Sequence, residues 1–250
     1  MKTAILILAA GKGTRMGTLE PKVLVSLNGK PLIKYLLESL DSKFSKSDIY
    51  IVVGYEKDLV KNVVGQDYNY VEQTEQLGTG HAVMCAKDAI SNKFDNVLVL
   101  YGDMPFISIQ TINDIINKHS EKMADLTMAT ISVDNFDSWQ SCFYDFGRIV
   151  RDDSNRPIKI VEKKDATPEE LAIKEVNPSY FCFNSNWLWE NIAKIKADNA
   201  QKEYYLTDLL ALAIKSNAKI ETISINPKEG IGINTPEQLK FAEKIIDGEF

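Results

Sequence analysis

The sequence predicts an α/β protein in which a mostly parallel sheet is flanked by helices on both faces. Short apolar runs, typical of buried parallel strands, alternate with segments of helical spacing from the start of the chain. The first apolar run leads directly into a loop with glycines and cations, and a later run ends on an aspartate. Open α/β sheets bind ligands at the carboxyl ends of such strands, so we expect both features in one site.

Strands and helices alternate regularly in the first half of the chain. Residues 4–8 are apolar and rich in branched side chains, which indicates a buried strand. Residues 31–40 have helical spacing, with a proline in the first turn. The same criteria predict strands at 48–53, 68–72, 96–101 and 126–133, and helices at 57–64, 78–90 and 108–119, the last with Ser108 as its N-cap.

The second half of the chain is less regular. It predicts short strands at 147–150 and 157–161, a helix or loop at 165–170, a long strand at 175–183, helices at 187–195, 207–216 and 236–246, and a last strand at 220–225. No linker rich in glycine, serine or proline and no internal repeat interrupts the sequence. We therefore predict one domain over residues 1–250, in which the second half adds a small lobe to the first.

The composition argues against several classes of function. The 250 residues carry a net charge of -6 and no long basic run, so we expect neither nucleic acid nor an anionic membrane as a partner. No apolar stretch approaches the roughly 18 residues that span a bilayer, and the amino terminus lacks the features of a signal peptide. Cys85, Cys142 and Cys182 have no C-x-x-C spacing, which predicts free thiols in a reducing cytoplasm.

The loop after the first strand has the composition of a polyphosphate-binding loop. Gly11 and Gly13 allow the backbone to approach a phosphate, and Lys12, Arg15 and Lys22 bring three cations into one short segment. The dinucleotide fingerprint G-x-G-x-x-G is excluded because its third glycine is missing. A Walker A loop is excluded because no serine or threonine follows the Gly-Lys pair. The loop therefore predicts binding of a polyanion such as a nucleoside triphosphate.

Two sequence motifs point to a known family. The run L-A-A-G-K-G-T-R-M over residues 8–16, followed by Pro21 and Lys22, resembles the signature of the sugar-1-phosphate nucleotidyltransferases. Q-L-G-T-G-H-A over residues 76–82 is similar to the N-acetylglucosamine-1-phosphate uridylyltransferases of that family. The resemblance extends from residue 5 to about residue 239. It implies a Rossmann-like nucleotide-diphospho-sugar transferase fold with a small sugar-binding lobe. It also implies an enzyme that makes UDP-N-acetylglucosamine and pyrophosphate from UTP and N-acetylglucosamine 1-phosphate.

The candidate catalytic residues are cations and one carboxylate. Asp103 follows the strand at 96–101, where a carboxylate can hold a divalent cation that bridges phosphates. In the family, the matching Y-G-D-M-P motif implies that Asp103 is a ligand of Mg²⁺, with Asn234 as the second protein ligand. The resemblance also implies that Arg15 binds the leaving phosphates and that Lys22 binds the α-phosphate or the attacking phosphate.

The candidate binding residues fall into a nucleotide set and a sugar set. Gln73 can offer both a donor and an acceptor to the edge of uracil, and we take His81 as a surface or packing residue. The nucleotide set is Leu8, Ala9, Ala10, Gly11, Gly13, Gln73, Gly78 and Thr79. By the resemblance, the sugar set is Tyr101, Gly102, Gly147, Glu162 and Asn177. The sequence departs from the family at Phe146, where tyrosine is usual, and at Pro178-Ser179, where Thr-Gly is usual.

Three alternatives remain open from the sequence. The enzyme could act on another sugar 1-phosphate such as glucose 1-phosphate, or the chain could be a catalytically inactive nucleotide-sugar binding protein. A cytidylyl- or molybdopterin-type transferase would use the same fold. The bifunctional members of the family continue into a β-helix acyltransferase domain of hexapeptide repeats. No such repeat occurs in these 250 residues, so we expect no acetyl transfer.

Overall fold

In the structure, a ten-stranded mixed sheet has helices packed on both faces. The structure is a computed structural model, and it describes residues 1–17 and 19–249. The strands are β1 (Thr3–Leu8), β2 (Ser26–Leu27), β3 (Lys30–Pro31), β4 (Ile49–Val53), β5 (Asn69–Glu72), β6 (Asn96–Tyr101), β7 (Leu126–Ser132), β8 (Gly147–Arg151), β9 (Pro157–Val161), β10 (Glu175–Asn177), β11 (Phe181–Asn184) and β12 (Ile220–Ser224). The helices are α1 (Leu32–Asp41), α2 (Lys57–Val64), α3 (Thr79–Cys85), α4 (Lys87–Ile90), α5 (Ile109–Lys122), α6 (Pro168–Leu171), α7 (Ser185–Asn191), α8 (Leu209–Lys215) and α9 (Pro236–Ile246).

The sheet has a parallel half and a mixed half. Its order is β5-β4-β1-β6-β11-β7-β10-β8-β9, with β12 paired to β7 beside this path. The pairs from β5 to β6 are parallel. Strands β11, β10 and β9 run against their neighbours, so the other strands of this sheet share one direction. The α/β class and the mostly parallel sheet are therefore confirmed. The short strands β2 and β3, which the sequence did not predict, form a separate antiparallel pair.

Strand β1 lies inside the parallel half and is buried along its whole length. Ile5 and Ile7 belong to a core that α1 and α5 complete on one face of the sheet. Leu6 and Leu8 belong to a second core, with side chains of α3, α7 and α8, on the other face. Burial on both faces explains why β1 is a continuous apolar run, and it makes β1 a rigid base for the glycine-rich loop.

The predicted long strand over 175–183 is wrong, because the chain breaks after Asn177. Pro178 lacks an N–H for the ladder, and Ser179 takes a left-handed conformation with φ of 64°. The break moves the chain across the sheet. Strand β10 pairs with β7 and β8, whereas β11 pairs with β6 and β7. One predicted strand is therefore two strands on opposite sides of β7.

Several predicted helices are shorter than expected. The helix predicted at 78–90 is divided into α3 and α4, because the N–H of Ala86 also bonds to the Val83 carbonyl, which tightens the last turn. The helix predicted at 187–195 begins at Ser185 and becomes a 3-10 turn after α7, and the helix predicted at 207–216 begins with a 3-10 turn over Leu206–Asp208. The 3-10 segment Ser138–Asp145 was not predicted.

None of the described helices is long and apolar enough to cross a membrane.

Candidate functional site

Two adjoining clefts open at the carboxyl ends of β1, β5 and β6, and Tyr101 and Asp103 line both of them. The first cleft has a volume of about 240 Å³ and is also lined by Leu8, Ala9, Ala10, Gly11, Lys22, Val23, Gln73, Gln76, Gly78, Thr79, Ala82 and Glu203. The second cleft has a volume of about 170 Å³ and is also lined by Met104, Asp145, Phe146, Gly147, Glu162, Asn177, Pro178, Ser179, Gly232 and Asn234.

The clefts separate the two predicted sets of binding residues. The first cleft holds the predicted nucleotide set apart from Gly13, and the second holds the predicted sugar set apart from Gly102. Gly102 does not line either cleft, and an added Cβ there would stand 3.0 Å from Cγ1 of Val23. The binding roles of these residues stay predictions.

The glycine-rich loop is held close to Lys22. Gly13 has a φ of 67°, which favours glycine, and an added Cβ there would lie only 2.6 Å from the Cβ of Lys22. Met16 anchors the loop, because it packs in an apolar cluster with Leu32 and Ile233. Any side chain at position 13 would push the loop away from Lys22.

Four polar side chains meet at the junction of the clefts. The Lys22 ammonium forms an ion pair with Asp103 and donates a hydrogen bond to Oδ1 of Asn234 at 2.8 Å. Arg15 donates to the same Asn234 oxygen at 3.0 Å. Asn234 is held in place by its backbone N–H, which donates to Gln238 at 2.7 Å at the start of α9. Residues that are more than 200 positions apart in the sequence therefore form one polar cluster.

The junction has oxygen ligands suited to Mg²⁺. A carboxylate oxygen of Asp103 and the amide oxygen of Asn234 already converge on one cationic group, the Lys22 ammonium. Oxygen ligands are those that Mg²⁺ prefers, and its remaining positions are usually filled by water and phosphate oxygens. No three His, Cys, Asp or Glu side chains in the described part of the chain are clustered so as to hold a metal ion. A cation at this junction would need Lys22 to move towards a phosphate.

Gln73 is fixed at the end of β5 by backbone and side-chain hydrogen bonds. Its N–H donates to the Val53 carbonyl at 2.8 Å. Its side-chain nitrogen Nε2 is 3.1 Å from the Gly78 carbonyl oxygen and 3.2 Å from Nδ1 of His81. Both hydrogens of the amide are thus engaged, so Gln73 offers a ligand only an acceptor and not the predicted donor–acceptor pair. His81, expected to be a surface or packing residue, is a partner of Gln73.

Gly78 and Gly80 pack against a distant segment of the chain. An added Cβ on Gly78 would lie 2.7 Å from the Tyr204 carbonyl oxygen, and one on Gly80 would lie 2.3 Å from Cδ1 of Ile195. The N–H of Gly80 donates to the Tyr204 carbonyl at 2.7 Å. The two glycines let α3 begin directly against residues 203–204, which place Glu203 in the first cleft.

In the second cleft, Gly147 and Asn177 are directly opposite each other in the β8–β10 pair. The Thr207 hydroxyl donates to Oε1 of Glu162 at 3.0 Å. Burial raises the pKa of the Glu162 carboxyl above its ordinary value, although the bond from Thr207 acts in the opposite direction. The amide of Asn177 is engaged with Ser179, because its Oδ1 accepts from the Ser179 N–H at 2.9 Å. Pro178 and Ser179, which depart from the family pattern, both line this cleft, and Ser179 engages the Asn177 amide.

Sequence reasoning missed several residues of the site: Gln76, Asp145, Glu203 and Thr207. Thr207 and Glu203 lie in Q-K-E-Y-Y-L-T-D over residues 201–208, which also resembles the family, so the sequence contained a weak signal for them. Asp145 precedes the departure at Phe146, and it forms an ion pair with Lys163 at 2.6 Å and a longer one with Arg15 at 3.9 Å. Gln76 carries no signal of its own beyond the motif.

The fold and the two clefts define the class of this protein. The chain belongs to the family of MobA-like NTP transferase domains, whose family model matches residues 5–206. The protein named Bifunctional protein GlmU from Caldicellulosiruptor saccharolyticus is 38% identical over 245 residues, which cover 97% of this chain and 51% of the relative. The protein of the same name from Thermosipho africanus is 42% identical over 245 residues, with 98% and 50% covered.

The chain thus spans about half the length of these curated relatives. A solved structure from Bacillus anthracis, named for a glucose-1-phosphate thymidylyltransferase in complex with a sucrose, matches the fold. Its TM-score is 0.75 at 20% sequence identity, and the match covers 97% of this chain and 94% of that one. At this identity, the similarity concerns the fold alone.

Proposed function

We propose that residues 1–250 act as one nucleotidyltransferase domain that makes UDP-N-acetylglucosamine and pyrophosphate from UTP and N-acetylglucosamine 1-phosphate. The observation that carries the proposal is the meeting of two clefts at Asp103 and Tyr101. A reaction that joins a nucleotide to a sugar phosphate needs two pockets that open onto one junction. The similarity to proteins named GlmU and the motif at 76–82 support the choice of substrates.

In the proposed reaction, a phosphate oxygen of the sugar 1-phosphate attacks the α-phosphorus of UTP in line. The new P–O bond forms as the bond from the α-phosphorus to its bridging oxygen breaks, and pyrophosphate leaves with that oxygen and the electron pair. Lys22 lies at the junction, where its charge can stabilise the transferring phosphoryl group. Arg15, whose side chain is 63% exposed, can reach the leaving phosphates.

Mg²⁺ is the proposed cofactor, with Asp103 and Asn234 as the residues that would hold it. When bound, the ion neutralises charge on the phosphate oxygens. The substrates are proposed to be small molecules, with no nucleic acid or membrane as a partner. A cytoplasmic location stays a prediction of the sequence.

A screen of pyrophosphate release tests the proposed activity. UTP, CTP, TTP and GTP are each paired with the 1-phosphates of N-acetylglucosamine, glucosamine and glucose, in the presence of Mg²⁺. UTP with N-acetylglucosamine 1-phosphate should give the highest kcat/KM, by at least about tenfold over the other sugars. No release from any pair would contradict the proposal and favour the inactive nucleotide-sugar binding protein.

A uridylyltransferase for another sugar 1-phosphate is the second candidate. The observation that favours it is the engagement of the Asn177 amide with Ser179, because that amide is then less available to an acetamido group. In the same screen, glucose 1-phosphate as the best substrate would replace the first candidate by the second.

A further inference from the structure

The side-chain amide of Gln73 has only one possible orientation. A backbone carbonyl can only accept a hydrogen bond, so the Gln73 atom that lies 3.1 Å from the Gly78 oxygen has to be the nitrogen. The second hydrogen on that nitrogen faces Nδ1 of His81 at 3.2 Å. Gln73 lines the first cleft, and among the described residues none donates a hydrogen bond to its Oε1.

The same contact fixes the state of His81. Because Nδ1 accepts from Gln73, the ring hydrogen has to be on Nε2. Nε2 in turn lies 3.8 Å from the sulfur of Cys85, one helical turn further along α3. The imidazole is therefore held between Gln73 and Cys85, and it points a lone pair at the amide nitrogen.

We propose that His81 is a positioning residue for base selection: together with the Gly78 carbonyl, it locks the Gln73 amide so that the first cleft presents only an acceptor. The inference rests on the proposed use of UTP. Uracil in a nucleotide has a single hydrogen-bond donor, its N3–H, so this group has to be the partner of Oε1. Cytosine has a lone pair at the same position, which would face the lone pairs of Oε1. The lock on Gln73 therefore rejects cytosine.

Equilibrium binding of nucleotides tests the proposal without any turnover. Calorimetry with UTP or CTP, with Mg²⁺ and without sugar phosphate, gives the ratio of the two dissociation constants. The wild-type protein should bind UTP at least about tenfold more tightly than CTP, since a mismatched buried polar pair costs this much or more. His81→Leu frees one hydrogen of the amide, so the ratio should fall several-fold towards one.

His81→Asn is the matched control, because its Oδ1 is the same number of bonds from the backbone as Nδ1 and can accept from Gln73. It should retain most of the selectivity. If His81→Leu weakens both nucleotides equally and the ratio is unchanged, His81 is merely structural and the proposal is overturned. If selective binding is found but no pyrophosphate is released in the screen, the proposed function fails and the role of His81 stands.

Nitrogen NMR of the histidines provides a test that needs no nucleotide. The sequence has only two histidines, so the His119→Gln variant leaves the signals of His81 alone. We expect a hydrogen on Nε2 and an unprotonated Nδ1 in the neutral ring. A neutral ring with its hydrogen on Nδ1 would overturn the proposal, because Nδ1 could not then accept from Gln73.

Discussion

Lys22 is the residue on which the junction of the two clefts depends. Its ammonium group pairs with Asp103 and donates to Asn234, and the absence of a side chain at Gly13 lets the loop lie against it. The side chains of Lys22 and Asp103 are only 18% and 11% exposed, so the pair is largely screened from water. Substitution of either residue should therefore lower the reaction rate more than substitution of one partner in a surface ion pair would.

Asp103→Asn should lower kcat by at least about a hundredfold. The amide leaves Lys22 without its counter-charge and is a poorer ligand for a hard cation than a carboxylate. The measurement is the rate of pyrophosphate release as a function of Mg²⁺ concentration. Urea unfolding of the same variant checks that it is folded, and an unchanged rate in a folded variant would remove Asp103 from the reaction.

Thr207→Val should raise the KM for the sugar phosphate several-fold and leave the KM for UTP unchanged. The substitution keeps the shape of the side chain but removes the hydroxyl that donates to Glu162 at 3.0 Å, so the carboxylate loses its fixed position. Thr207→Ser keeps the hydroxyl and should restore the KM. Equal changes in both KM values would show that Thr207 acts through the fold and not through Glu162.

Among the elements, the start of α3 leaves no room for an added side chain. Gly80→Ala would place a Cβ 2.3 Å from Ile195 and 2.9 Å from the Tyr204 carbonyl oxygen. We expect a loss of about 1–3 kcal/mol in the free energy of unfolding and weaker nucleotide binding, because α3 has to move away from residues 203–204. Gly11→Ala is the control for stability, since nothing lies within 4 Å of a Cβ added there. Equal stability of the two variants would contradict this account.

The contact between α5 and β7 predicts a dependence of stability on pH. His119 of α5 is 1% exposed, its Nδ1 lies 3.0 Å from the Thr127 hydroxyl, and burial lowers its pKa to about 4, with Asp125 acting in the opposite direction. Because the pKa in the unfolded chain is about 6.5, the unfolded state takes up the proton first as the pH falls. The protein should lose about 2 kcal/mol of stability between about pH 7.5 and pH 5 through this group.

Urea unfolding at the two pH values measures this loss. His119→Gln removes the titrating group and should reduce the loss by that amount. His81→Gln is the comparison, because His81 is the other histidine and is only half-buried. A loss that is the same in the wild-type protein and in His119→Gln would show that other groups cause it.

At the scale of the whole molecule, the sheet joins the two halves of the chain. Strand β11, from the second half, lies between β6 and β7 from the first, so neither half has a complete sheet by itself. We therefore expect urea unfolding to be one cooperative transition. The three tryptophans, at positions 139, 187 and 189, report only on the second half, whereas far-ultraviolet circular dichroism reports on the whole chain. Separate midpoints in the two signals would contradict the prediction of a single domain.

The sequence by itself determined the class of fold, most elements of the first half and the position of the glycine-rich loop. Apolar runs such as 4–8 and 96–101 indicate strands that are buried on both faces, and such runs can be recognised from the local sequence. Gly13 and Asp103 could be predicted because a strand delivers each of them to the same edge of the sheet. The motif at 76–82 likewise brought Gly78 into the predicted site, and Gln73 was predicted from the donor and acceptor of its amide.

Only the tertiary structure decided which atoms of these residues remain available. The orientation of the Gln73 amide depends on Gly78 and His81, and the position of the Glu162 carboxylate depends on Thr207, which lies 45 positions away. The predicted strand is split at Pro178 because its two parts, β10 and β11, pair at separate places in the sheet. Periodicity records whether a side chain is buried, whereas hydrogen-bond partners are set by how distant segments pack, and no local pattern contains that information.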